Sequence, residues 1–310
     1  MVQTDHVMNK VIAIVGPTAT GKSLLGIRLA KALDTEVISC DAMQLYIGMD
    51  IGTAKLTLAE RDGVKHHLLD VLDPQVSFSV ADYQKLVREK IANLHELGKT
   101  PILVGGSGLY LQAVLYDYLF VGDKRQQDDR EAYAELSNDE LASMLEKADS
   151  ELARTIHPNN RRRLIRSLEI AGLGASESRN PGKNLYYQNT VIIALNLDRN
   201  ALYSRIENRV DQMIGKGLVE EARKLFDSGI RSQSVMAIGY KELFPYFRGE
   251  TSLEECIELI KQNSRRYAKR QLTWFRNKML ATWFDVDEID FETTIRQVTD
   301  YIKKTSVDDC

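Results

Sequence analysis

Val11-Ile12-Ala13-Ile14-Val15 runs directly into Gly16-Pro17-Thr18-Ala19-Thr20-Gly21-Lys22-Ser23. The first five residues are apolar and mostly β-branched with no alternation, the pattern of a parallel strand buried on both faces. The next eight fit G-x-x-x-x-G-K-[ST]. From Ser23 to Leu33, the leucines at 25, 29 and 33 recur at helical spacing. Strand, glycine-rich turn and helix in that order let backbone N–H groups and a helix N-terminus cradle phosphate oxygens. Gly16, Pro17, Thr18, Ala19, Thr20, Gly21, Lys22 and Ser23 are therefore candidate polyphosphate-binding residues. Lys22 supplies a point charge and Ser23 a hydroxyl for Mg²⁺.

Outward from this segment, strands and helices alternate. Glu36–Cys40 reads as a second strand, Val80–Leu97 as an amphipathic helix stopped by Gly98, and Pro101–Val104 as a third strand. Such alternation predicts a parallel α/β sheet. Near Gly122 the pattern changes. Residues 123–151 hold ten acids and four bases at helical spacing, and Arg154, Arg161, Arg162, Arg163 and Arg166 then reverse the sign. Asn180-Pro181-Gly182 reads as the end of this segment, before Thr190–Leu197 returns as a strand. Helices are predicted near 200–213, 216–228 and 251–278, then a short strand at Trp283-Phe284 and a last helix. The expected architecture is an α/β, P-loop NTPase-like parallel-sheet core from 1–122 and 188–310, with a helical insertion domain at 123–187.

Composition sets the outer limits. The 310 residues are 44% hydrophobic and 27% charged, with a formal net charge of −3. That mix excludes a disordered chain, a collagen-like repeat and a coiled coil. It also excludes a basic footprint over the whole molecule, so any nucleic-acid affinity must come from local patches. No apolar run approaches the roughly 18 residues of a membrane helix. Cys40, Cys256 and Cys310 are too far apart for a paired-cysteine zinc site, and with no signal-peptide pattern they predict reduced thiols in the cytoplasm.

Ligands of such sheets bind outside the carboxyl ends of the strands. Asp41, within Cys40-Asp41-Ala42-Met43-Gln44-Leu45-Tyr46, falls at such an end, with a role as base or metal ligand; a capping aspartate is the plainer alternative. Ser107, in Val104-Gly105-Gly106-Ser107-Gly108, emerges likewise, either functionally or as a turn and helix cap. Leu68-Leu69-Asp70 and Val71-Leu72-Asp73 are short candidates for an acid-tipped strand. His66 and His67 are adjacent and point to opposite faces of a strand, so they cannot jointly chelate an ion. Lys261, Arg265, Arg266, Lys269, Arg270, Arg276 and Lys278 form an acid-free run suited to RNA phosphates, or else a solvated face. Its aromatics Tyr267, Trp274 and Phe275 fall at helical spacing with Gln271 and read as core. Arg205 and Arg209 share a helix face and suit a diphosphate, or else pair with Glu207 and Asp211.

The ordered motifs GPTATGKS, DAMQLY, GMDIGTAK, HHLLD, FSVADY, VGGSGLY, NNRRRLIRSLEI, AIGYKE and RRYAKRQLTWF resemble the bacterial tRNA dimethylallyltransferase family from about Val11 to Phe284. The resemblance implies transfer of a dimethylallyl group from its diphosphate, with Mg²⁺, to N6 of the adenosine 3′-adjacent to the anticodon, adenosine 37. It implies Asp41 as catalytic acid–base residue, Ser107 at a position usually held by Thr, and Arg205 and Arg209 on the diphosphate. It assigns tRNA contact to Asp41, Ala42, Met43 and Gln44, to Arg162, Arg163 and Arg166, and to Gly239, Tyr240 and Lys241. The basic helix, through Arg265, Arg266, Lys269 and Arg270, would grip the anticodon stem. Ala42 stands where Ser is common, and Met236 where some members have Arg. The expected partners are tRNA and dimethylallyl diphosphate, with no membrane and no obligate protein partner evident. A small-molecule kinase or an RNA-binding P-loop switch would use the same loop for ATP. The kinase gives the basic helix no task, and the switch needs an acid-tipped strand that the sequence does not clearly offer.

Overall fold

The computed structural model describes residues 10–118, 120, 133–172 and 181–307. The chain divides into two compact units, Met1–Leu115 with Leu185–Cys310, and Tyr116–Asn184.

The larger unit is built on a six-stranded, all-parallel sheet. Along the chain come β1 (Val11–Val15), α1 (Lys22–Ala32), β2 (Val37–Ser39), β3 (His66–His67), α2 (Val80–Glu96), β4 (Ile102–Val104) and α3 (Gly108–Leu115). In space the strands β3, β2, β4 and β1 are neighbours in that order. Every residue of β1 is fully buried, as a β-branched strand in the middle of a parallel sheet must be. Its register pairs Ile14 with Val104 on β4. The carboxyl ends of β1, β4 and β2 therefore lie side by side, and their loops must share one space.

Helix ends follow from local chemistry. Ser79 caps α2, with Asp82 returning the bond, and Gly98 at φ 69° follows its end. Gly21, at φ 88°, turns the phosphate-loop segment into α1.

The smaller unit has β5 (Tyr116–Tyr118), α4 (Asn138–Ala148), α5 (Ser150–Thr155), α6 (Arg161–Gly172) and β6 (Pro181–Leu185), the last reaching the unit boundary. Leu141, Leu145, Ile156, Leu164 and Leu168 form its core. The expectation of a purely helical segment is corrected here: Pro181-Gly182 opens a strand, and β5 and β6 pair as a two-stranded sheet. Alternation over so few residues leaves no periodic signal to read. The anticipated boundary at Gly122 lies outside the described residues.

The chain then adds β7 (Thr190–Asn196), α7 (Arg199–Gly215), α8 (Leu218–Asp227), α9 (Leu253–Lys278), β8 (Thr282–Asp285) and α10 (Phe291–Val307). β7 pairs with β1 from Val11↔Thr190 to Val15↔Ala194, and β8 with β7, completing the sheet. Among the described residues no helix is long and apolar enough to cross a membrane.

Candidate active site

The three adjacent strand ends build the site. Gly16 has φ 139°, and a Cβ there would lie 2.7 Å from the Leu195 carbonyl oxygen, so only glycine lets β1 leave the sheet beside β7. Within the loop, Thr20 Oγ1 donates to Pro17 O at 2.9 Å and Lys22 Nζ to the same oxygen at 2.6 Å. Thr20 thus holds the loop's shape, whereas Ser23 faces outward on the first turn of α1. Arg209, on α7, donates through Nη1 to Thr18 Oγ1 at 3.0 Å.

Lys22 and Arg209 crowd one another. Withdrawal from water depresses the Lys22 ammonium to about 7, and the like charge of Arg209 adds to that, while Asp41 opposes it. Asp41 moves the other way. Burial raises its carboxyl above the ordinary aspartate range, against the pull of the Met43 amide, Lys22, Arg209 and the Gln44 amide. Two cations and one carboxylate thus share a poorly hydrated space beside a phosphate-shaped loop, where opposing shifts mark groups held for chemistry. Arg209 belongs to this cluster. Arg205, one turn earlier and half-buried, has no side-chain hydrogen bond or ion pair among the described residues. The acids that could have neutralised the pair are engaged elsewhere, Glu207 with Arg265 at 2.5 Å and Asp211 with Lys261 at 2.8 Å.

Asp41 caps no helix; its Oδ1 accepts the Met43 amide at 2.9 Å in a tight turn. Ser107 Oγ accepts the Ala42 amide at 3.2 Å, and the Ser107 amide donates to Cys40 O at 3.4 Å. The hydroxyl therefore ties the loop after β4 to the Asp41 turn. A Cβ on Gly105 would stand 2.0 Å from Cys40 O, so that contact requires glycine. Cys40 itself is a fully buried thiol pushed up to about 12, hence unreactive.

Several predicted contact residues have structural partners. Ala42 is buried, and Gln44 accepts from Ser39 Oγ at 2.8 Å and donates to Thr53 O at 3.2 Å, while Met43, partly exposed, has no such side-chain hydrogen bond among the described residues. Tyr240 is corrected from a tRNA contact to a core residue. Its ring is fully buried and its hydroxyl donates to Glu221 at 2.7 Å. Glu221 also accepts the amides of Asp50, Ile51 and Gly52 at 2.9–3.0 Å, fixing the GMDIG turn. Gly239, at φ 101°, donates to buried Glu242, and Lys241 lies 3.8 Å from that carboxylate. Met236 is exposed.

The basic helix α9 is divided by its own geometry. Lys261 and Arg265, the latter expected to contact tRNA, are both engaged by acids of α7, as above; Arg266, Lys269 and Arg270 are exposed. Its inner face carries Tyr267, Gln271 and Trp274 against the site loops, and Phe275 in the core. In the smaller unit Arg162 and Arg163 are exposed, and Arg166 pairs with Glu169 at 3.2 Å. Asp70 is paired with the buried Lys55 and lies three residues beyond the end of the two-residue strand β3. His67 bonds Glu36 at 2.6 Å and His66 the Val64 carbonyl at 2.9 Å, both structural. Gln271, Glu221 and Lys55 were missed by sequence reasoning. Only Gln271 left a signal, as a lone neutral polar residue on an inward stripe.

The family model described as IPP transferase matches residues 44–278. The chain belongs to the IPP transferase family. The tRNA dimethylallyltransferase of Bacillus subtilis strain 168 is 51% identical over 96% of this chain and 98% of its own length. That of Halalkalibacterium halodurans is 50% identical over 94% and 96%. The crystal structure of the full-length tRNA isopentenylpyrophosphate transferase from Bacillus halodurans superposes with a TM-score of 0.75 at 49% identity, covering 96% of each chain. A eukaryotic dimethylallyltransferase acting on tRNA gives 0.82 at 30% identity, covering 95% of this chain and 80% of that one. The family and the parallel-sheet core expected from sequence are both borne out.

Proposed function

We propose that this chain transfers the dimethylallyl group of dimethylallyl diphosphate to N6 of adenosine 37 of tRNA, releasing diphosphate. The carrying observation is Asp41, a withdrawn carboxylate beside Lys22 and Arg209 at the mouth of the phosphate-binding loop. The adenine N6 forms a bond to C1 of the dimethylallyl group as the C1–O bond breaks, and diphosphate leaves with the electron pair. The loop amides of 16–23, Lys22, Arg205 and Arg209 bind the diphosphate and stabilise the charge that develops on it. Asp41 accepts the N6 proton as attack proceeds. Ser107, held on the Asp41 turn, positions the amine.

The exposed hydroxyl of Ser23 is an oxygen donor of the kind Mg²⁺ takes, and such an ion would complete its shell with substrate phosphates and water. When bound, Mg²⁺ neutralises diphosphate charge. An adenine stacked in the anticodon loop must be flipped out to reach Asp41. Met43, Lys241, the outward face of Arg266, Lys269 and Arg270, and in the smaller unit Arg162, Arg163 and Arg166, are the tRNA-binding groups; Gly239 is buried with its amide on Glu242 and shapes the turn that carries Lys241. The tRNA-binding groups position the stem and do not read sequence.

Incubating unmodified tRNA with Mg²⁺ and either dimethylallyl diphosphate or ATP, followed by nucleoside mass spectrometry, tests this reading. Prenylated adenosine with the first and none with the second is expected. Strict ATP dependence would favour the kinase.

A further inference from the structure

Gln271 lies 253 residues from Thr18 in sequence, yet its side-chain oxygen accepts the Thr18 amide at 3.0 Å. Its side-chain nitrogen donates to the Gly106 carbonyl at 2.9 Å. One buried amide thus joins the loop after β1 to the loop after β4. Both of its polar ends are satisfied by backbone. Tyr267, one turn earlier on α9, lies beside Ser107 and Gln271. Trp274, one turn later, packs on Gly108, where a Cβ would lie 2.3 Å from the indole. Three consecutive turns of the helix therefore rest on 106–108, and the middle one also holds the phosphate loop.

The two loops carry the two halves of the reaction. Resting on the function proposed above, the Thr18 loop holds the diphosphate that leaves, and the Gly106–Ser107 loop faces the amine that attacks. We propose that Gln271 is a positioning residue that sets the distance between electrophile and nucleophile. Both polar ends of its amide are committed to the two loops, so it acts through them. Each loop binds its own substrate through other groups, so breaking the bridge leaves affinity in place and misaligns the reacting atoms. Misplacement of about 1 Å can lower a rate by about 10²-fold.

Gly106 offers an independent way to break the same bridge. A Cβ at position 106 would come 2.2 Å from the Gln271 side-chain nitrogen, the end of a flexible side chain, and so would push the amide aside. The experiment compares wild-type protein, Gln271→Ala, Gly106→Ala and the double variant. It measures single-turnover rate, dissociation constants for tRNA and for dimethylallyl diphosphate, and melting temperature. Each single variant is expected to lose ten-fold or more in rate, with both dissociation constants within about three-fold of wild type. The double variant should be no slower than the slower single variant, because both changes remove one interaction. Rates within two-fold of wild type at a temperature where the variants are folded overturn the proposal, as does a loss confined to the dissociation constants or a multiplicative double effect. A wild-type protein that leaves tRNA unprenylated instead overturns the function reading itself, before any variant is compared.

Discussion

Arg209 donates to the Thr18 hydroxyl at 3.0 Å, so a guanidinium from α7, 191 residues away in sequence, closes over the Gly16–Ser23 loop. The contact joins the element most legible in the sequence to one whose role depended on the fold. Arg209→Ala should remove a charge-assisted contact worth about 1.5–3 kcal/mol. The Kd for dimethylallyl diphosphate should rise about ten- to hundred-fold, with tRNA affinity unchanged. Calorimetric titration of each substrate checks this, and equal losses for both would refute it.

Asp41→Asn retains size and hydrogen bonding and loses the proton acceptor. Turnover should fall about 10²–10⁴-fold, with both substrates bound nearly as before. If diphosphate binding is lost and high Mg²⁺ restores it, Asp41 is a metal ligand.

Acidity and basicity should both limit the free enzyme. Asp41 must be ionised to accept a proton, so kcat/KM falls as pH drops through its raised pKa. Lys22 must be charged to attract diphosphate, so kcat/KM falls again as pH rises through about 7. A bell-shaped profile results, and Lys22→Arg, which stays charged, should lift the alkaline limb. An alkaline limb identical in Lys22→Arg would assign it to another group.

The charges of α9 divide into two classes with different expected effects. Replacing Arg266, Lys269 and Arg270 together by Ala should reduce the slope of log affinity for tRNA against log salt by up to about one for each phosphate no longer neutralised. Arg265→Ala should leave that slope nearly intact, since its guanidinium already pairs with Glu207. A salt series on both variants decides the matter.

Tyr240→Phe removes only a buried hydroxyl from Glu221. About 1 kcal/mol of stability should be lost, with tRNA affinity preserved. Denaturant unfolding and filter binding measure the two, and a selective loss of tRNA affinity would return Tyr240 to the interface.

What the sequence made legible was local. Val11–Ser23 places a strand, a turn and the start of a helix within 13 consecutive residues, so spacing alone predicted that local geometry. The closeness of Asp41 and Ser107 was foreseeable because parallel strands deliver their following residues to one edge. Pairings between distant segments left no such trace. The bonds of Gln271 to Thr18 and Gly106, of Tyr240 to Glu221, and of Arg265 to Glu207 exist only after the chain has folded. A buried tyrosine in a Gly-Tyr-Lys turn and a paired arginine in a basic run look, as letters, like binding residues. The strand at Pro181–Leu185 was hidden by its own proline and glycine, which ordinarily mark turns.

The central claim is that one prenyl transfer to adenosine 37 accompanies each diphosphate released. A single-turnover reaction of unmodified tRNA with dimethylallyl diphosphate and Mg²⁺, without ATP, measures both products. Diphosphate is measured by a coupled assay, and the modified base by nuclease mapping with mass spectrometry. The account predicts equal amounts, all of the added C₅H₈ on N6 of adenosine 37, and neither product from Asp41→Asn on the same time scale. Diphosphate release without modified adenosine, or modification that requires ATP, would contradict it.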